Sequence, residues 1–275
     1  MEWNVLYGLL YGLIGAMAEF LPVSPDVHQT LMLKLTGLDI PGYGMSLAVH
    51  LGALAAVILA SYKRLAKLLQ ERKILTQPKR KRQRQPDVSS IMEWRLLTIA
   101  AVPLVLSCVA VPWLQQYFSR LWVLALVVLV NGALVLLPHY MTRANKDARS
   151  LSPLDVTLMG MSGVLGAVPG MSRVGLVSAV ASMRGADRQF ALDFTYLLSI
   201  PVLAALCIVD IVMIFSAGTP GALLLPGILA CLAAFGAALV GIKLMRFLAV
   251  NVGYESLAYY NWGVAMFTFV IYLIG

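Results

Sequence analysis

The sequence predicts an all-α polytopic membrane protein, with six transmembrane helices plus two re-entrant helix pairs in an inverted-topology repeat. Three observations carry that prediction. The 275 residues are 60% hydrophobic and only 12% charged, with a mean hydropathy of +0.83, where a soluble domain carries about 25% charged residues. Apolar runs long enough to cross a bilayer, about twenty residues each, recur six times. Two further apolar stretches are long but broken by proline near their centres.

Taken in order, the first broken stretch covers roughly 4–36 and is interrupted from Pro22 to His28. Full spans follow at roughly 44–62, 95–112 and 121–138. The second broken stretch, roughly 154–184, is interrupted at Pro169-Gly170-Met171-Ser172-Arg173. Spans at roughly 189–212, 222–247 and 257–274 complete the chain. Residues 1–275 read as a single integral-membrane domain, with repeat units of about 4–62 and 152–212 and a basic loop of about 63–94 between spans. Sliding the sequence by 148 positions (172 − 24) pairs Ser24 with Ser172, Gly12 with Gly160, Gly15 with Gly163, Gly37 with Gly185 and Asp39 with Asp187. Inverted repeats with broken helices are a recurring transporter plan, and their binding site lies where the breaks meet.

Charge sets the expected orientation. Of 21 Lys and Arg residues, ten fall between Lys63 and Arg84, the signature of a cytoplasmic loop and an anionic-lipid-facing one at Lys79–Arg84. Arg143, Lys146, Arg149, Arg184, Arg188, Lys243 and Arg246 then fall on the same side, leaving Lys34 and Arg120 opposite, and both termini outside. The net charge of +8 is therefore no sign of nucleic acid as a partner. Met1-Glu2-Trp3 lacks the basic n-region of a cleavable signal. Cys108, Cys207 and Cys231 sit in apolar runs without metal-ligand or CxxC spacing, and read as small hydrophobes.

The chemistry concentrates at the breaks. Glu19, Ser24, Asp26 and His28 lie within ten residues of a greasy segment, and a charge at the bilayer centre costs roughly 2.5–3.5 kcal/mol on insertion scales. If the breaks meet, these residues face Ser172 and Arg173. A guanidinium fork suits bidentate binding of phosphate, and backbone N–H groups of the helices after both breaks add positive potential. Ser24, Ser172, Arg173 and Gly170 form the expected phosphate-binding set. His28 titrates near operating pH and is a candidate acid or base, whereas Ser24 and Ser172 read equally well as helix caps. His50 reads as lining a cavity, and His139 lies at an interface. Asp193 and Asp210, near the two ends of one span, are explained by interfacial solvation.

Those residues resemble the undecaprenyl pyrophosphate phosphatase family, the bacitracin-resistance membrane phosphatases. Glu19-Phe20-Leu21-Pro22-Val23-Ser24 and His28 are similar to its first motif, and Pro169-Gly170-Met171-Ser172-Arg173 with Gly175 to its second. Val49-His50-Leu51-Gly52-Ala53-Leu54 and Phe194-Thr195-Tyr196-Leu197-Leu198 are also similar to family patterns. Five positions depart from the motifs: Gly15 replaces a first Glu, Pro25 a Ser proposed as nucleophile, Asp26-Val27 a Thr-Gly pair, and Val174 a Ser.

The resemblance implies hydrolysis of undecaprenyl or another polyprenyl diphosphate to monophosphate and phosphate, in recycling of the cell-wall carrier lipid. It also implies a multi-pass protein of the bacterial inner (cytoplasmic) membrane, its site open to the periplasmic or extracellular side. A divalent cation, Mg²⁺ or Ca²⁺, follows from the family, with Glu19 as base or metal ligand. Glu19, Asp26 and His28 are the expected catalytic residues. Either Asp26 attacks through an acyl phosphate, or Glu19 or His28 activates water with Arg173 and the cation holding the phosphates. The competing class is a chain that no longer hydrolyses and instead binds or flips a polyprenyl phosphate. The apolar surface permits a homodimer.

Overall fold

A computed structural model describes residues 3–141, 145–217 and 223–274. Met1, Glu2, Arg143 and the first residue of the expected 222–247 span lie outside the described residues. Eleven α-helices run through the described residues: α1 (Val5–Glu19), α2 (Pro25–Thr36), α3 (Tyr43–Thr76), α4 (Val88–Ser107), α5 (Val111–Phe118), α6 (Leu121–Leu136), α7 (Pro153–Val164), α8 (Arg173–Met183), α9 (Arg188–Ala217), α10 (Leu224–Asn251) and α11 (Leu257–Ile274). Six stretches are long and apolar enough to cross a membrane: Tyr43–Thr76, Val88–Phe118, Leu121–Tyr140, Arg188–Ser216, Leu224–Asn251 and Tyr254–Ile274. They match the six expected spans.

Two boundaries differ from expectation, each for a local reason. Helix α3 has 34 residues, about 51 Å at 1.5 Å per residue, and overruns a hydrocarbon core of about 30 Å. Residues 63–76, expected in a loop, are instead a helical extension of α3. Their Lys, Arg, Leu, Gln and Glu are strong helix formers with no Gly or Pro to stop them. The first break is also shorter than Pro22 to His28. Ser24 caps α2, its Oγ accepting from the Val27 N–H at 3.4 Å, and Pro25 occupies the first turn, where a missing N–H costs nothing. Pro25 thus starts a helix, and Asp26 and His28 belong to its first turns.

Each broken stretch folds back on itself as a helical hairpin whose two ends lie together. In the first, the Trp3 indole N–H at the start of α1 donates to the Asp39 carbonyl beyond α2 at 3.1 Å. In the second, Asp155 at the start of α7 pairs with Arg184 after α8 at 2.6 Å. Helix α1 packs chiefly on α10, α7 on α4, α3 on α9 and on α10, and α6 on α11. Glycine sets the closest of these approaches. A Cβ on Gly8 or Gly12 would stand 2.4 and 2.1 Å from the Pro226 and Ala230 carbonyl oxygens of α10.

The end of the bundle that carries the basic α3 extension is tied by ion pairs. Arg64 bridges Glu93 on α4 at 2.6 Å and Asp193 on α9 at 3.0 Å, and Asp193 also holds Arg246 on α10 at 2.9 Å. Interfacial solvation does not account for Asp193; two guanidinium groups do. Lys67 pairs with Asp87 at 2.9 Å, and Arg188 pairs with Glu255. The chain order of the helices puts Lys34 and Arg120 at the opposite end.

Candidate active site

The two breaks meet inside the bundle. The Ser172 hydroxyl donates to the Leu21 carbonyl at 2.9 Å and accepts from the Gly175 N–H at 3.1 Å, so it caps α8 and joins the hairpin tips at once. Arg173 and Glu19 pair across the junction at 3.0 Å, with side chains 12% and 11% exposed. Gly175 lets the tips touch, since a Cβ there would lie 2.9 Å from Pro22.

Breaking two helices frees backbone groups that need partners at this depth. Two asparagines supply them, and the sequence reading missed both. Asn261 on α11 donates to the Pro22 carbonyl at 2.9 Å, and Asn131 on α6 donates to it at 3.4 Å. The Asn131 side-chain carbonyl accepts the Ser172 N–H at 2.9 Å, and the two amides are linked at 3.1 Å. The signal was present: each is a lone amide in an apolar span, and such residues face the bundle interior.

A small cavity of about 50 Å³ sits at the junction, lined by Glu19, Pro25, Asp26, Ser172 and Arg173, with Gln115 of α5 on the side away from the basic end. Asp26 makes no ion pair among the described residues. It lies within electrostatic range of Glu19, Arg173 and His50. Of the expected phosphate-binding set, Ser172 and Arg173 line this cavity. Ser24 is 1% exposed and its hydroxyl is engaged in the α2 cap. Gly170 shapes the break, its φ of +101° being a conformation that favours glycine.

The two histidines near the junction differ sharply. His28 is two residues from Asp26 on the same helix, a spacing that puts side chains on opposite faces. Its ring turns away to α11, with Nδ1 2.6 Å from the Ser24 carbonyl oxygen and Nε2 2.8 Å from the Tyr260 hydroxyl. The structure therefore does not bring His28 to Asp26. His50 on α3 does approach, and its Nδ1 lies 2.6 Å from Oδ2 of Asp210 on α9. Asp210, expected to be solvated at an interface, is 5% exposed and held by His50 instead. A separation of 160 residues hid that pair.

A family model described as bacitracin resistance protein BacA matches residues 8–267. The chain belongs to this family. Its relatives include undecaprenyl-diphosphatases that are similar over most of the chain. That of Idiomarina loihiensis is 28% identical over 219 residues, 78% of each chain. That of Desulforudis audaxviator is 29% identical over 204 residues, 73% of each. That of Micrococcus luteus is 27% identical over 207 residues, 74% of this chain and 73% of the relative. Among the positions where this BacA-family chain departs from the motif, Gly15 has its space taken. The Gln29 amide nitrogen sits 2.2 Å from where a Cβ would be, so a neutral amide fills the space beside Gly15.

Proposed function

We propose that this chain is a membrane phosphatase that hydrolyses polyprenyl diphosphates, undecaprenyl diphosphate foremost, to the lipid monophosphate and inorganic phosphate. One observation supports this reading above the others: Asp26, without an ion pair among the described residues, and Arg173 line a single cavity where two hairpins meet. A guanidinium that can bind phosphate and a carboxylate that can take a proton are the minimum for phosphoanhydride hydrolysis. The family and its undecaprenyl-diphosphatase relatives support the same substrate class.

Roles follow from how each group is held. Arg173 binds the terminal phosphate and offsets its charge, aided by the backbone N–H groups that open α8. Glu19 orients Arg173. Asp26 accepts the proton of the attacking water, because it has no cation to release first. Phosphoryl transfer depends chiefly on positioning and electrostatics, so few groups suffice. A carboxylate beside a lipid diphosphate matches the hard oxygen donors that Mg²⁺ takes, and Glu19 would hold it. When bound, such a cation neutralises charge on the phosphate oxygens.

The excess of Lys and Arg at the basic end supports a cytoplasmic location for it. The cavity, bounded on the other side by α5, would then open to the periplasmic or extracellular face of the inner membrane, and the hairpins would be re-entrant units of an inverted repeat. The apolar flanks suit lipid or a second copy of the chain.

The test is phosphate release by purified protein from a polyprenyl diphosphate with Mg²⁺ or Ca²⁺. Asp26→Asn is expected to lower the rate roughly 100- to 10,000-fold while lipid binding stays within about threefold. Release that survives Asp26→Asn overturns the assignment of Asp26, and no release by the unaltered protein overturns the phosphatase reading.

A further inference from the structure

We propose a second phosphate site in this chain, at the basic end and apart from the hairpin junction, that holds the headgroup of an anionic phospholipid. It does not depend on the phosphatase reading. A cavity of about 400 Å³ lies there between α3, α9 and α10, with Ser61, Arg64, Asp193 and Arg246 in its walls.

Ser61 lacks a partner. The residue is 6% exposed, and its hydroxyl is the one buried side-chain polar atom without a hydrogen bond among the described residues. Buried hydroxyls are otherwise satisfied. Those of Thr98, Thr195 and Ser199 donate to the carbonyl four residues back along their helices. Ser61 makes no such bond and lines the cavity instead. Ser61 and Arg64 are three residues apart on α3 and so share a face.

The cations of the cavity are fixed in place but not all engaged. Arg64 gives Nε and Nη2 to Glu93 on α4 and Nη1 to Asp193, and its guanidinium lies over the Phe190 ring at 5.1 Å. Arg246 gives Nη2 to Asp193 at 2.9 Å and lies over the Tyr196 ring at 5.6 Å. Its Nε and Nη1 have no hydrogen-bond partner, and Lys63 has no ion pair, among the described residues. Lys63, Arg64 and Arg246 against Asp193 leave the lining net positive. An anionic headgroup is favoured there over a zwitterion, whose own cation would meet like charge.

Position along α3 identifies the source of that phosphate. Lys63 and Arg64 are the first Lys or Arg of α3, twenty residues (63 − 43) beyond Tyr43. Twenty residues of helix rise about 30 Å, the thickness of the hydrocarbon core, so the cavity stands at headgroup height. Leu59 and Tyr62 at its rim are 58% and 64% exposed. They offer apolar surface to acyl chains and an aromatic ring of the kind that gathers at the membrane interface. Basic pockets between spans are the form that headgroup sites take. The phosphate oxygens accept from the Ser61 hydroxyl, the free N–H groups of Arg246 and the Lys63 ammonium, while Asp193 and Glu93 keep the two guanidinium groups in place. Such a phosphate ties α3 to α10, the helix on which α1 packs.

The experiment measures lipid affinity by native mass spectrometry of the full chain in a nonionic detergent, titrated with phosphatidylglycerol, phosphatidylcholine or inorganic phosphate. Phosphatidylglycerol should bind at one site, roughly tenfold more tightly than phosphatidylcholine, and excess inorganic phosphate should not displace it. Arg246→Gln should weaken that binding about tenfold or more, and Ser61→Ala about three- to tenfold. Ser61→Ala should leave the melting temperature of the lipid-free protein unchanged, because the hydroxyl has no partner to lose, and it decides the matter should Arg246→Gln fail to fold. Lys81→Gln, in the basic run between α3 and α4, should bind as the unaltered protein does. Equal affinity for the two lipids overturns the proposal, as does full affinity in Ser61→Ala. A loss in Lys81→Gln equal to that in Arg246→Gln would reduce the binding to the general charge of the basic end, and overturns it too. Displacement by inorganic phosphate overturns the lipid as the ligand.

Discussion

At the basic end of the bundle, three aspartates are each held by two cations; at the hairpin tips, three carboxylates share two partners. Asp87 faces Lys67 and Arg149, Asp155 faces Arg184 and Lys146, and Asp193 faces Arg64 and Arg246. At the tips, Glu19, Asp26 and Asp210 share one arginine and one histidine. In the first arrangement these three aspartates are fully paired, and their charges hold helices together. The second leaves Asp26 and one nitrogen of His50 unspent. Charge at depth is expensive, and an unspent charge there is retained for what it does to a bound molecule.

Arg173→Ala should break the tip cluster most severely. Phosphate release is expected to disappear, and the protein to lose about 3–5 kcal/mol of stability, because Glu19 remains buried without its partner. Adding Glu19→Gln should recover much of that stability in a thermal melt without recovering activity. A single Arg173→Ala that melts like the unaltered protein would show that Glu19 finds another partner.

Asn131→Leu separates support from chemistry. It removes the acceptor of the Ser172 N–H and one donor to Pro22, and should cost about 1–3 kcal/mol for the buried groups left unpaired. Binding of a diphosphate lipid should weaken with it, as the tips lose their fixed register. An unchanged melting temperature would mean that water or Asn261 replaces the lost bonds.

The smallest effect is expected at the basic end. The Lys67 ammonium beside Asp87, with the Ser90 hydroxyl, pushes its carboxyl down to about 2. A carboxyl depressed in the folded state stabilises above its unfolded value, near pH 4, and that contribution is lost as pH falls toward about 2. Acid melts of the unaltered protein should therefore fall over that window, and Lys67→Met should flatten the fall slightly, since exposed pairs contribute about 1 kcal/mol or less. Phosphate release at neutral pH should not change.

Much of this was legible in the sequence, because apolar length and proline are local signals. The six spans, both breaks and the Glu19–Arg173 junction follow from such signals. His50 and Asp210 were visible as polar residues inside spans, yet nothing local pairs residues on α3 and α9 that lie 160 positions apart. His28 misled for the opposite reason. Closeness to Asp26 in sequence suggested partnership, while two residues along a helix point to opposite faces. The α3 extension was masked by its charge, which says where a segment is solvated and not whether it is helical.

Gly8 and Gly12 are four residues apart, and so are Pro226 and Ala230, the α10 positions they rest upon. Helix α1 is therefore indexed against α10 like a pawl in a rack. A slide of less than one turn, about 5.4 Å, would carry both glycines off the α10 carbonyls they rest upon. The first hairpin cannot creep by small amounts, so the distance from Glu19 to Arg173 is set by a stop built far from either residue. Ligands must come to that fixed height in the bundle, and glycine at two positions near one end is what keeps it constant.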